Sequence, residues 1–347
     1  WTGFKNRIIN GAMVIDQRNA GAAISTHGSY VVDRFNCALT SGSASGVTVQ
    51  QSTTVPSSSG FTNSIVYTIG TGGSVGSSGA YGIQQRIEGY NFADILSGTA
   101  YAKQFTLSFW VRSSITGTYG VGFRNSAKDR SYIATYVISS VNTWEYKTIT
   151  ISGDTSGTWV TNNGIGLDLF FDVGVGTSFS TTANSWQTGN YYGLTGGVKL
   201  AETTGATFYI TGVQLERGST ATSFDWRPYG TELALCQRYY EKSYDYTTAV
   251  PSNTTAGLGS GIVDTQSLGA ISANIKFKVD KRTNPTMAFY KYETTSGVWA
   301  RNSDNTSTGT ITTPWGIGTT GVSRLDSSTS LSSGGMYHGH WYANAEL

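Results

Sequence analysis

Charge is scarce in this chain: only 13% of its 347 residues are Asp, Glu, Lys or Arg, and the formal net charge is +2. Without a basic excess there is no electrostatic footprint for nucleic acid or an anionic membrane surface. Cysteine is scarcer still, with Cys37 and Cys236 alone and far apart. A disulfide-stapled secreted domain carries more, at closer spacings, so both are expected as buried free thiols in a chain folded in a reducing cytosol. No apolar run approaches the roughly 20 residues of a membrane helix, so no membrane insertion is expected. No charged-then-apolar leader opens the chain either. The first residue is Trp1 rather than Met, and an upstream part carrying an anchor is expected. No repeat of fixed period emerges, which disfavours a solenoid or propeller.

What the chain has in quantity is Gly (44 residues), Tyr (21) and Ser/Thr, with 38% hydrophobic residues. That balance fits a β-rich surface, and its aromatics separate it from a disordered chain. Apolar residues fall on every second position in Phe105–Val111, Tyr146–Ile151 and Thr207–Leu215, the period of a half-buried strand. Ile165–Val173 reads as another, with Asp168 and Asp172 off its main apolar row and expected to face solvent. Turn clusters such as Ser152–Gly157 punctuate these runs. Many strands without βα alternation indicate an all-β, double-sheet jelly-roll sandwich.

One segment departs from this pattern. After Pro228 and Gly230, Thr231 can cap a helix, Glu232 suits its positive end, and Leu233, Cys236, Gln237 and Tyr240 share a face up to Lys242. A lone helix between β regions marks a junction. The expected organisation is a jelly roll over residues 1–228, a linking helix within 229–244 and a smaller C-terminal β domain over 245–347. In the last, Gly269–Val279 alternates cleanly, and Met287–Tyr292 and Met336–Leu347 read as strands.

The junction also carries a resemblance. Gly212–Gly218 followed by Trp226–Tyr240 resembles a segment of bacteriophage tail-fibre and other tail-associated proteins. Asn6–Met13 with Asp16–Arg18 resembles their opening strand, and Tyr342–Leu347 their closing strand. Phe109–Ser114 and Phe123–Ser126 resemble the body of a jelly roll related to carbohydrate-binding modules. The resemblance implies a receptor-binding virion protein, assembled in the host cytoplasm and acting outside the cell. It also implies a homotrimer, with the 231–242 helix a candidate for lining its axis, and contact with other tail proteins through an N-terminal anchor.

Candidate glycan-binding residues follow from chemistry. A pyranose stacks its C–H face on an aromatic ring while its hydroxyls bond to amides and hydroxyls. Trp159, Asn162, Asn163, Trp186, Tyr191 and Tyr192 supply this mixture in the first domain; Tyr290, Tyr292, Trp299 and Trp315 raise the same question in the second. For each, capping of a core is the competing role. Trp110 and Trp144 are assigned to structure. His338 and His340 stand two apart on a strand and so project to one side. Three chains around an axis would gather six nitrogens for a transition metal, as in the His-x-His sites of some phage fibres, whereas in a monomer two histidines make a poor site. Asp16 and Glu216 lie where related jelly rolls hold a structural calcium, although the usual acidic pair near the last strand is missing. No catalytic motif appears: there is no nucleophile elbow, no phosphate loop and no Cys/His zinc pattern. The leading expectation is a non-enzymatic tail-fibre protein that binds host cell-surface polysaccharide. A tailspike-like glycan depolymerase and a purely structural decoration protein are the alternatives.

Overall fold

The computed structural model describes residues 4–263 and 269–347, with Thr312, Thr313 and Trp315 described by backbone alone. The chain is all-β and divides into two compact units. The first comprises residues 4–16 and 21–228 with Leu347; the second comprises residues 17–20 and 229–346.

The strands of the first unit are β1 (Tyr30–Val32), β2 (Phe35–Gly42), β3 (Thr48–Ser52), β4 (Ser64–Thr68) and β5 (Val75–Glu88). They continue with β6 (Phe105–Ser113), β7 (Gly117–Arg124), β8 (Arg130–Ile138), β9 (Glu145–Ile151) and β10 (Ile165–Val175). The short β11 (Ser180–Thr181), β12 (Trp186–Thr188) and β13 (Gly193–Leu194) precede the long β14 (Thr207–Arg217). A seven-stranded sheet, in the order β1-β2-β5-β10-β7-β8-β12, packs on a five-stranded sheet, β3-β4-β14-β6-β9, as a jelly-roll sandwich.

Strand periodicity builds the core. Phe105, Leu107, Phe109 and Val111 of β6 are fully buried between the sheets, as are Leu167, Leu169, Phe171 and Val173 of β10. The residues between them point the other way. On β6 these are Thr106, Ser108, Trp110 and Arg112, on the outer side of the five-stranded sheet. The Asn6–Met13 segment forms bends and turns rather than the expected opening strand.

The expectation of solvent-facing carboxylates on β10 is overturned. Asp168 and Asp172 are only 2% and 3% exposed. They do lie on the face away from the core, but Phe179, Tyr192 and Leu194 of the following segment fold over that face. Glycine permits the approach: a Cβ on Gly122 would stand 2.7 Å from the Tyr192 Cα.

The second unit begins with α1 (Tyr229–Gln237). The helix starts two residues before Thr231, so Thr231 is not its cap, and it stops at Gln237. Tyr240–Lys242 is a strand, β15, paired with the C-terminal strand. Leu233, Cys236 and Gln237 are buried on the helical face their spacing predicts. The remaining strands are β16 (Gly259–Val263), β17 (Ala270–Lys276), β18 (Thr286–Tyr290), β19 (Ala300–Arg301), β20 (Ile311–Ile317), β21 (Gly321–Ser327) and β22 (Met336–Asn344). They surround a core that includes Trp299, Ile271, Leu325 and Trp341. Residues 17–20 belong here: Gln17 Nε2 donates to the Tyr240 carbonyl at 2.9 Å, and Arg18 pairs with Glu346 at 3.0 Å. Cys37 and Cys236 are both buried free thiols.

Candidate functional site

Trp110, at the middle of β6, faces outward beside Tyr146, its register partner on β9; the two rings are 5.4 Å apart and tilted by 46°. Three further rings complete a cluster. Phe61 stands 4.8 Å from Trp226 and 5.0 Å from Phe224, and Phe224 stands 4.9 Å from Trp226. Together these five rings border a hollow of about 420 Å³, with Ser59, Ser108, Thr222 and Ser223 adding polar groups. Trp226 is 53% and Tyr146 is 45% exposed, so ring surface is open to solvent.

The wall of this hollow is held by hydrogen bonds rather than by strand pairing. Glu216 accepts from the Thr222 N–H, the Thr222 hydroxyl and the Gln214 amide, each at 2.8 Å. The Asp225 N–H donates to Gln214 Oε1 at 2.7 Å, and Asp225 Oδ2 accepts from the Lys5 and Asn6 backbones. This pins residues 222–226 across the outer face of the sheet. A register shift in β14 between Thr211 and Gln214 places Gly212 beneath Phe61 and Trp110. A side chain there would clash, since a Cβ would lie 2.6 Å from Phe61 Cζ. The chemistry offered is a stacking surface edged by hydroxyls, suited to a polar ligand with apolar faces.

The expected glycan residues lie elsewhere. Trp159 is 9% exposed and packs on Phe92 and, edge-on at 5.4 Å, on Trp186. Both indole N–H groups are used within the fold: Trp159 donates to the Ser156 carbonyl at 3.2 Å and Trp186 to the Ser152 carbonyl at 2.7 Å. The pair therefore caps the core. Tyr192 is buried against Phe170 and Phe179. Asn162 is exposed, with its side-chain oxygen accepting from the Gly164 N–H, and Asn163 and Tyr191 are partly exposed. In the second unit Trp299 is fully buried and donates to the His340 carbonyl at 3.3 Å, so it is core rather than a sugar platform. Tyr290 packs on Tyr342, and Tyr292 lies 5.8 Å from His338. The Trp315 side chain lies outside the described residues.

The histidine pair is corrected by geometry. His340 is fully buried, with Nε2 at 2.9 Å from the Thr254 carbonyl and Nδ1 at 2.9 Å from the Ser243 hydroxyl. The carbonyl can only accept, so Nε2 carries the proton and Nδ1 accepts from Ser243. Tyr244 stacks on the ring at 3.7 Å, and burial lowers the imidazole pKa below 6.5. Neither nitrogen is left for a metal. Gly339, between the two histidines, packs against Trp299, where a Cβ would lie 2.1 Å from Trp299 Cδ1. The proposed calcium ligands are also committed locally: Asp16 accepts from the Gly21 N–H at 2.7 Å, and Glu216 anchors residue 222. Among the described residues, no group of three or more His, Cys, Asp or Glu side chains is placed to hold a metal.

None of Phe61, Trp110, Tyr146, Phe224 and Trp226 is singled out as a site residue by the sequence. The outward parity of Trp110 and Tyr146 on their strands was a usable signal, whereas Trp226 was visible only as part of the junction.

No protein-family model and no curated protein matches the chain. Among solved structures, it is similar to the enzymatically active domain of bacteriophage CBA120 tailspike protein 4, at 14% identity and a TM-score of 0.34. That match covers 61% of this chain but only 21% of the tailspike chain. A CBM4 carbohydrate-binding module is similar at 13% identity and a TM-score of 0.33, over 60% of this chain and 98% of its own. TmCBM61, solved with β-1,4-galactotriose, is similar at 10% identity and a TM-score of 0.31, over 62% of this chain and 99% of its own.

Proposed function

We propose that this protein binds glycan through the aromatic hollow of its first unit, and that it serves a bacteriophage virion as a tail-fibre protein attaching to host cell-surface polysaccharide. The observation that carries the binding reading is the grouping of Phe61, Trp110, Tyr146, Phe224 and Trp226 around one hydroxyl-edged hollow. Single aromatic sugar sites bind weakly, and a homotrimer would add avidity because the later contacts become intramolecular. The virion setting rests on the likeness of the 212–240 segment to tail-fibre sequences. The reading is non-enzymatic: Asp168 and Asp172, the two carboxylates on one strand that could serve as a hydrolytic pair, are both buried, and Asp168 is paired with Arg124. The test is adsorption of the purified chain to host cells, with its mass measured by light scattering and polysaccharide viscosity followed in parallel. Adsorption by a trimer without loss of viscosity supports the reading. Absence of adsorption removes the attachment role, and falling viscosity replaces binding with depolymerisation.

A further inference from the structure

Beside the hollow, one step further along β6 and β9, the same outer face carries a cation. Arg112 is two residues beyond Trp110, a displacement of roughly 6.6 Å along a strand. Its register partner on β14 is Tyr209, and the guanidinium carbon sits 4.8 Å above the Tyr209 ring centroid. Trp144, two residues before Tyr146, packs edge-on to Tyr209 at 6.1 Å. The Arg112 Nε–H donates to the Asn142 carbonyl at 2.8 Å. That bond uses Nε alone, and among the described residues neither terminal nitrogen of Arg112 has a partner. Among the described residues no carboxylate pairs with Arg112.

Three other arginines of the first unit are each paired with a carboxylate. Arg124 is paired with Asp168 at 2.6 Å, Arg130 with Asp154 at 2.7 Å and Arg7 with Asp94 at 2.6 Å. An oriented guanidinium without an internal anion presents two parallel N–H donors, the arrangement that matches a carboxylate in bidentate fashion. Stacking on Tyr209 also lowers the entropy lost when a ligand engages it.

We infer that the glycan bound by this face is acidic, with the carboxylate of one sugar residue held by Arg112 while a neighbouring residue stacks in the hollow of Trp110 and Trp226. The inference rests on the glycan-binding reading and adds to it the charge of the ligand and the direction in which its chain runs, along β6 and β9. Arg112 confers the preference for acid; the aromatic rings supply the shared affinity.

The experiment measures retention of the full chain by polygalacturonic acid, by the same polymer after its carboxyl groups are reduced to alcohols, and by a neutral galactan. The wild type should bind the acidic polymer about 10-fold or more tightly than its reduced form, the ratio expected for a hydrogen-bonded charge pair. R112Q should abolish that ratio while leaving affinity for the reduced polymer unchanged. R112K, which keeps the charge without the fork, should retain part of it. Added salt should weaken only the acidic case. Equal binding of the acidic and reduced polymers by the wild type overturns the inference and leaves the glycan reading standing, as does an R112Q variant with an unchanged ratio. Retention of none of the three polymers overturns the inference, while the glycan reading is decided separately by adsorption to host cells.

Discussion

Arg124 and Asp168 meet on the outer side of the seven-stranded sheet at 2.6 Å, both almost fully buried. Asp168 Oδ1 accepts from Gln84 at 2.6 Å, and the second arm of Arg124 donates to Asn190 at 2.7 Å. The Arg124 guanidinium lies 4.2 Å from the Tyr192 centroid, so the pair ties β7 and β10 to the overlying segment. Removing one partner leaves a desolvated charge, and R124A or D168A should each cost about 3–5 kcal/mol. The double variant R124M/D168L should cost far less. Thermal and urea unfolding check this, and a single variant as stable as the wild type would contradict it.

Asp172 lies four residues further along the same strand and accepts the Gly174 and Leu194 N–H groups at 2.8 and 2.9 Å. Burial outweighs those bonds and pushes its pKa from 3.8 up to about 7. The folded state therefore holds a proton that the unfolded state has lost. The resulting stabilisation is complete below 3.8 and disappears as pH rises through about 7. D172N cannot titrate, so the gap in Tm between it and the wild type should narrow between pH 5 and about pH 8. A gap independent of pH would refute the assignment.

For His340 the sign reverses. Burial depresses its pKa, so the stability it contributes is present above 6.5 and is lost as pH falls through the lower folded value. H340Q should remove this acid sensitivity from the unfolding of the second unit. Zinc or nickel ions should leave the wild-type Tm unchanged, because both ring nitrogens are engaged within the chain. A metal-dependent rise would show that the Thr254 contact yields to coordination.

Glu216 organises the hollow without touching its ring surface. E216A removes three acceptor bonds to Thr222 and Gln214 and should cost about 1.5–3 kcal/mol or more. It should also loosen the segment bearing Phe224 and Trp226, raising the access of iodide to tryptophan fluorescence. Unaltered quenching would mean that aromatic packing alone holds the wall.

Period-two alternation made the sandwich legible: Phe105, Leu107, Phe109 and Val111 are buried where their spacing placed them. Alternation reports which side of a strand a residue occupies, but not what lies over that side. Asp168 and Asp172 read as solvent-facing because their cover, Phe179 to Leu194, holds only strands of two or three residues, too short to show alternation. The same limit hid the hollow. Trp110 points outward by parity, and Trp226 reaches it through the Glu216 and Gln214 bonds that no local pattern displays. His340 and Trp299 stand 41 positions apart and meet in one core, so a sharp local motif became a packed interior pair. The helix was shortened by its successor, since Tyr240–Lys242 gains ladder partners on β22 that a helix would forgo.

The central claim is that the five-ring hollow binds glycan. The most direct measurement is affinity electrophoresis of the wild type, W110A and W226A through gels containing purified bacterial surface polysaccharide, with Tm recorded for each. The account predicts that the wild type is retarded, that both variants migrate as if the polysaccharide were absent, and that W226A melts close to the wild type. Equal retardation of all three proteins, or no retardation of the wild type by any such polysaccharide, would contradict it.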